Sequence, residues 1–181
     1  MNIFITGEKG FIGRNLVERM KQFESLNFVS GDPDITPKVK AVFHDMIFHK
    51  PGEPCVHGNT MEEWKHFFWS NKIEVVIHNA ATVGTDVVAL DSTGSTLTNV
   101  AGTYNICRAA KHLNIPVCYM GTTVIYDTAK YQDDLIEEDS ALNPTTFYGV
   151  QKLAAERVVT THSDDWMVIR PLFAFGGVGD M

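Results

Sequence analysis

Three glycines at three-residue intervals, Gly7, Gly10 and Gly13, stand between a short apolar run, Asn2–Thr6, and an amphipathic segment that begins at Phe11. Few backbone arrangements accept that order. Gly7 and Gly10 let the chain turn tightly and come close to a ligand, and Gly13 lets a helix pack hard against the strand before it. The first-turn N–H groups of such a helix have no partner within it and face an anion such as a pyrophosphate. A glycine triplet alone also fits a plain strand–helix turn. Its place between a strand and an amphipathic helix is what points to a dinucleotide cofactor.

The rest of the chain repeats the alternation. Short apolar runs at 2–6, 28–31, 41–44, 74–78, 117–120 and 167–170 predict strands, several apolar at consecutive positions as in a sheet covered on both faces. Segments 11–23, 61–70, 98–113 and 147–161 carry apolar residues at helical spacing, the first placing Ile12, Leu16, Met20 and Phe23 on one face. The aromatic group Trp64, Phe67, Phe68 and Trp69 reads as packing. Segments 32–40 and 50–60 read as loops, and 83–96, rich in Thr, Ser and Gly, carries no clear signal. The expectation is a single α/β domain spanning residues 1–181, a three-layer α/β/α Rossmann-type fold with a doubly wound parallel sheet.

About 20 residues after the glycines, a second strand is expected to end in an acid that takes ribose hydroxyls. Asp32 stands there, with Asp34 close behind; a carboxylate favours NAD over NADP by repelling a 2′-phosphate, although an Asx turn in Gly31-Asp32-Pro33-Asp34 is the other reading. Farther on, Tyr148 and Lys152 lie four apart in a predicted helix and share a face. An ammonium beside a phenol lowers the phenol's pKa from about 10 and makes it a proton acceptor for a hydroxyl whose carbon gives up hydride. Thr122, just past the strand at 117–120, puts a hydroxyl at the sheet's carboxyl edge, where it can position a substrate oxygen for Tyr148.

In order and spacing these motifs resemble the extended short-chain dehydrogenase/reductases, the nucleotide-sugar epimerase/dehydratase family. Thr6-Gly7-x-x-Gly10-Phe11-Ile12-Gly13 resembles their cofactor fingerprint, and His44-Asp45-Met46 falls where family members contact adenine. Val76-Ile77-His78-Asn79-Ala80-Ala81 resembles their turn beside the cofactor ribose, and Asn99-Val100-x-Gly102-Thr103-x-Asn105 their active-site helix. Thr122, Tyr148 and Lys152 fall on the catalytic Ser/Thr, Tyr and Lys; Arg170-Pro171 opens the run that ends here at Gly176. The resemblance implies cofactor contacts from Gly7, Gly10, Phe11, Ile12, Gly13, Asp32, Asp45, Met46, Ala80, Ala81, Asn99, Tyr148 and Lys152. It further implies a nucleotide-sugar substrate, NAD with NADP as the alternative, and a homodimer built through a four-helix bundle.

Two departures narrow that reading. The 4,6-dehydratases follow the catalytic threonine with Asp-Glu, whereas Thr123 and Val124 follow here, which favours a 4-epimerase, or a GDP-fucose-synthase-like epimerase/reductase using NADPH. Phe173 replaces the asparagine expected in the Arg-Pro run, and the sequence reaches Met181 with the substrate-binding lobe largely absent, so a cofactor-binding module without turnover is the third reading. The formal charge of −7 argues against nucleic acid and anionic membranes as partners. Three unpaired cysteines, no signal-peptide pattern and no spanning apolar stretch suggest a cytoplasmic protein. No metal is expected: Cys55 and His57, near His44 and His49, lack a zinc-site spacing.

Overall fold

A computed structural model of the chain describes residues 1–30, 61–127, 130 and 135–176. Five strands form one parallel sheet among these residues: β1 (Asn2–Thr6), β2 (Asn27–Ser30), β3 (Val75–His78), β4 (Val117–Met120) and β5 (Trp166–Ile169), in the order β2-β1-β3-β4-β5. The chain therefore steps outward from β1 to β2 and returns to the other side of β1 with β3. That reversal is the switch point at which open α/β sheets leave a crevice beyond their strand ends. The predicted strand at 41–44 lies outside the described residues.

The flanking helices are α1 (Phe11–Met20), α2 (Met61–Ser70), α3 (Thr85–Leu90), α4 (Ser92–Thr96), α5 (Thr103–His112) and α6 (Phe147–His162). The segment without a clear sequence signal, 83–96, thus holds two short helices; Asp91 caps the second by accepting from the Gly94 N–H at 2.9 Å. The single helix predicted over 98–113 is divided. Leu97–Gly102 is a π-helical turn, and α5 begins only at Thr103. α1 also stops short of the prediction, at Met20, leaving Phe23 exposed past its end.

Interior strand β1 buries Ile3, Phe4, Ile5 and Thr6 in succession, as a strand covered on both faces must. Phe4 meets Trp64 and Phe68 of α2 at ring-centroid distances of 5.4 and 5.3 Å, and Phe67 edge-on at 5.3 Å. Ile106, Ala109 and Ala110 of α5 and Ala155 and Val159 of α6 complete the same core. Trp69 is the exception within the aromatic group: the helical turn carries it to solvent, where it is 70% exposed. Strand β5 contrasts with β1, for Trp166, Met167 and Ile169 remain exposed.

These positions make opposite predictions for two tryptophans of one helix. Trp64→Ala, emptying a fully buried site, is expected to cost about 3–5 kcal/mol in urea unfolding. Trp69→Ala is expected to stay within about 0.5 kcal/mol of the parent. Comparable losses would mean that α2 packs by a different face.

Candidate active site

The glycine turn has the geometry its sequence demands. Gly7 has φ +68°, and a Cβ there would stand 2.9 Å from the Ala80 backbone; a Cβ on Gly13 would reach 2.2 Å from the Gly7 carbonyl oxygen. The turn closes with the Gly10 N–H donating to the Gly7 carbonyl at 3.1 Å, and Gly10 precedes α1 in an extended conformation with no side-chain cap. The helix's first turn is thereby left open toward the crevice, a shape that suits a pyrophosphate.

Thr6 fixes this turn to the neighbouring strand. Its Oγ1 accepts the N–H groups of Asn79 at 3.0 Å and Ala80 at 2.9 Å, and lies 2.8 Å from His78 Nδ1. On its other side His78 Nε2 lies 2.9 Å from Thr103 Oγ1, whose proton goes to the Asn99 carbonyl at 2.7 Å. The proton directions follow from that last bond. With the Thr103 proton committed, His78 donates from Nε2, leaving Nδ1 to accept the Thr6 hydroxyl proton. His78 is therefore neutral, and its complete burial, helped by the Lys152 charge, lowers its pKa to about 3.

Asn99, in the π turn, holds the next loop. Its Oδ1 accepts the Thr82 N–H at 2.8 Å, while Nδ2 donates to the Thr82 carbonyl at 3.0 Å and to Gln151 Oε1 at 2.8 Å. Gln151, immediately before Lys152, donates onward to Ser95 and Thr96 hydroxyls, both at 2.9 Å. Asn99 is thus a structural tie between the Ala80–Thr82 loop and α6. Sequence reasoning did not find Gln151; a buried amide is legible only once the helix contacts are known.

Helix α6 is capped by Thr146, whose hydroxyl accepts the Gly149 N–H at 3.0 Å. It carries Tyr148 and Lys152, both buried. Lys152 Nζ donates to the Met120 carbonyl at 2.7 Å and lies 4.3 Å from the Tyr119 ring centroid. Burial draws the Lys152 pKa down to about 7, with Glu156 acting in the opposite direction. Burial also raises the Tyr148 phenol rather than lowering it. The expected phenol acidification is absent here because desolvation disfavours the phenolate and the ammonium alike. Thr122, buried where β4 ends, caps the short 3₁₀ turn Thr123–Ile125 by accepting the Val124 N–H at 3.3 Å.

One cavity of about 650 Å³ joins these parts. It is lined by Gly7, Gly10, Phe11, Ile12, Ala80 and Ala81 on one side and by Thr122, Tyr148 and Lys152 on the other, with Pro171 to Ala174 along a further wall. The structure brings the predicted glycine turn and the Thr–Tyr–Lys group together. Gly13 and Asn99 act behind the wall as packing and tie. Asp32, Asp45 and Met46 lie outside the described residues, as do Cys55 and the histidines near it. The described lining residues include no carboxylic acid. No helix among the described residues is long and apolar enough to cross a membrane.

Residues 3–176 match the model of the NAD dependent epimerase/dehydratase family. A dTDP-4-dehydrorhamnose reductase of Aggregatibacter actinomycetemcomitans is 25% identical over 181 residues, covering 98% of this chain and 53% of that protein. The crystal structure of a dTDP-4-dehydrorhamnose reductase from Clostridium acetobutylicum superposes with a TM-score of 0.77 at 22% identity, covering 99% of this chain and 56% of that one. The Bordetella bronchiseptica enzyme WbmG, in complex with NAD and UDP, gives a TM-score of 0.65 at 25% identity over 93% of this chain and 52% of its own. The chain spans about half the length of the curated relatives it matches.

The neutral His78 yields a pH prediction. Its folded pKa of about 3 lies below the ordinary 6.5, so the unfolded chain takes up the proton first as pH falls. Stability from this group is complete above the unfolded value and declines by about 1.4 kcal/mol per pH unit through that window. His78→Gln is expected to be less stable than the parent at pH 7, with the gap in urea midpoints narrowing toward pH 4. A gap independent of pH would mean that the folded protein protonates His78 at its ordinary pH.

Proposed function

The chain belongs to the NAD dependent epimerase/dehydratase family, and on that premise we propose that it binds NAD(P) in the glycine-lined cleft and interconverts hydroxyl and keto groups on a nucleotide sugar, run as a 4-epimerisation. One observation carries the reading: the Gly7–Gly13 turn and the Thr122–Tyr148–Lys152 group open on the same cavity. The cleft suits the cofactor because the glycine turn and the first residues of α1, a helix with no side-chain cap, line it. Asp32 is expected to take the ribose hydroxyls and to favour NAD, with Asp45 and Met46 beside the adenine. Residues 1–181 act as the cofactor domain.

A bound nicotinamide supplies the hydride acceptor and donor. Tyr148 removes the proton of the sugar 4-hydroxyl and returns it to the 4-keto group after the sugar has turned over. A charged Lys152 would favour the phenolate against the effect of burial, and an oxidised nicotinamide bound in the cleft would act in the same direction. The Thr122 hydroxyl orients the substrate oxygen. Thr123 and Val124 follow Thr122 where the 4,6-dehydratases are expected to carry Asp-Glu, which favours epimerisation over elimination of water.

A second reading, an epimerase/reductase that consumes NAD(P)H, draws on the similarity to dTDP-4-dehydrorhamnose reductase along 98% of this chain. Exposed Leu97 of the π turn and Phe147 and Val150 of α6 support a homodimer through the π turn, α5 and α6. Light scattering at micromolar concentration is expected to give twice the chain mass; a monomer there counts against the dimer.

The deciding experiment is incubation with NAD and separately with NADPH, across dTDP-, UDP- and GDP-sugars, with products followed by NMR. The expected product is a 4-epimer formed without net cofactor consumption, and Tyr148→Phe is expected to slow it by about a hundredfold or more. One NADPH oxidised per product would favour the reductase reading. Cofactor binding without any product would leave only a cofactor-binding module.

A further inference from the structure

Tyr148, Lys152 and Glu156 follow at four-residue intervals on α6 and so share one helical face. The first two line the cleft, and Glu156 lies one turn farther along the helix, only 2% exposed. A fork of hydrogen bonds from Arg170 holds its carboxylate, Nε to Oε2 at 3.0 Å and a terminal nitrogen to Oε1 at 2.6 Å. The same guanidinium donates to the Glu138 carbonyl at 2.7 Å and to the Tyr126 hydroxyl, so it is anchored on three sides. Lys152, 3% exposed, has a backbone carbonyl and an aromatic face for company. An ammonium stripped of water needs more than neutral partners to remain charged.

We propose that Glu156 is a positioning residue for the Tyr148–Lys152 pair: its carboxylate, one helical turn from Lys152 and clamped by Arg170, favours the charged form of Lys152 inside the protein. The proposal rests on the reading of Lys152 as the working partner of Tyr148. The groups that face Lys152 among the described residues leave Glu156 in sole charge of this task. On its own helix stand Tyr148 and Glu156; β4 presents Tyr119 and the Met120 carbonyl; β3 presents His78; Arg170 lies beyond Glu156, at the end of β5. Burial disfavours the anionic form of both phenols and keeps His78 neutral. Glu156 is the one anion in this set, and it acts on Lys152 against the effect of burial.

The test is a direct titration of Lys152 in the whole chain by NMR, with lysine labelled with ¹³C at Cε and the signal assigned by its loss in Lys152→Met. Glu156→Gln is expected to move the Lys152 midpoint down by about one pH unit. Since that variant leaves Arg170 without its anion, Glu156→Met with Arg170→Met is the second arm, replacing the pair by apolar packing of similar size. It is expected to move the midpoint in the same direction. A midpoint unchanged from the parent in a folded variant overturns the proposal. The readout needs no turnover, so a shifted midpoint in a protein that fails to epimerise any sugar would count against the proposed function and not against this role of Glu156.

Discussion

The site depends on one hydroxyl. Thr6 Oγ1, at the end of β1, accepts two consecutive N–H groups from the start of the loop after β3 and gives its own proton to His78. Those bonds draw the loop against Gly7, where only a residue without a Cβ fits beside Ala80. Alternatives are costly: each buried polar group left unpaired is worth about 1–3 kcal/mol. Close approach of backbones and saturation of hydrogen bonds thus enforce each other, and the cleft floor has one arrangement.

The wall that carries Tyr148 and Lys152 is tied to that floor rather than merely packed near it. His78 passes the chain of bonds to Thr103 and the Asn99 carbonyl, and the Asn99 side chain passes it to Thr82 and Gln151. The π turn of Leu97–Gly102 stands at the centre, and such turns gather at functional sites because they redirect side chains within an otherwise regular helix. Gln151 carries the connection into α6 one residue before Lys152. The loop after β3 and the helix that carries Tyr148 and Lys152 are therefore held in mutual register by paired buried amides, an arrangement that preorganises the two sides of the cleft.

Much of this was legible in the sequence wherever a steric or periodic rule acts on its own. The glycine turn, the β1 core and the shared face of Tyr148 and Lys152 each follow from local geometry, and the structure has them in place. Trp69 and Phe23 broke the pattern because helix phase and helix length are settled by what the helix packs against. The π turn was invisible, since its extra residue satisfies contacts of Asn99 that lie far away in the chain. Glu156 carried a usable signal: its i+4 spacing from Lys152, together with Arg170 just after the last strand. An ion pair with two ends in different elements still requires the fold to bring them together.

The interior sorts its ionisable groups into three kinds. His78 and Tyr119 are buried where only the neutral form is tolerated, so their hydrogen-bonding roles are fixed. Glu156 and Arg170 are buried as a forked pair that stays charged. Lys152 belongs to neither group. Burial and the nearby carboxylate pull it in opposite directions, and the balance falls at about 7, on the wall of the cleft. A group poised in this way responds to charge that enters beside it. Its proton affinity is therefore open to change by a ligand bound in the cleft, while the surrounding hydrogen bonds hold the neighbouring groups in place.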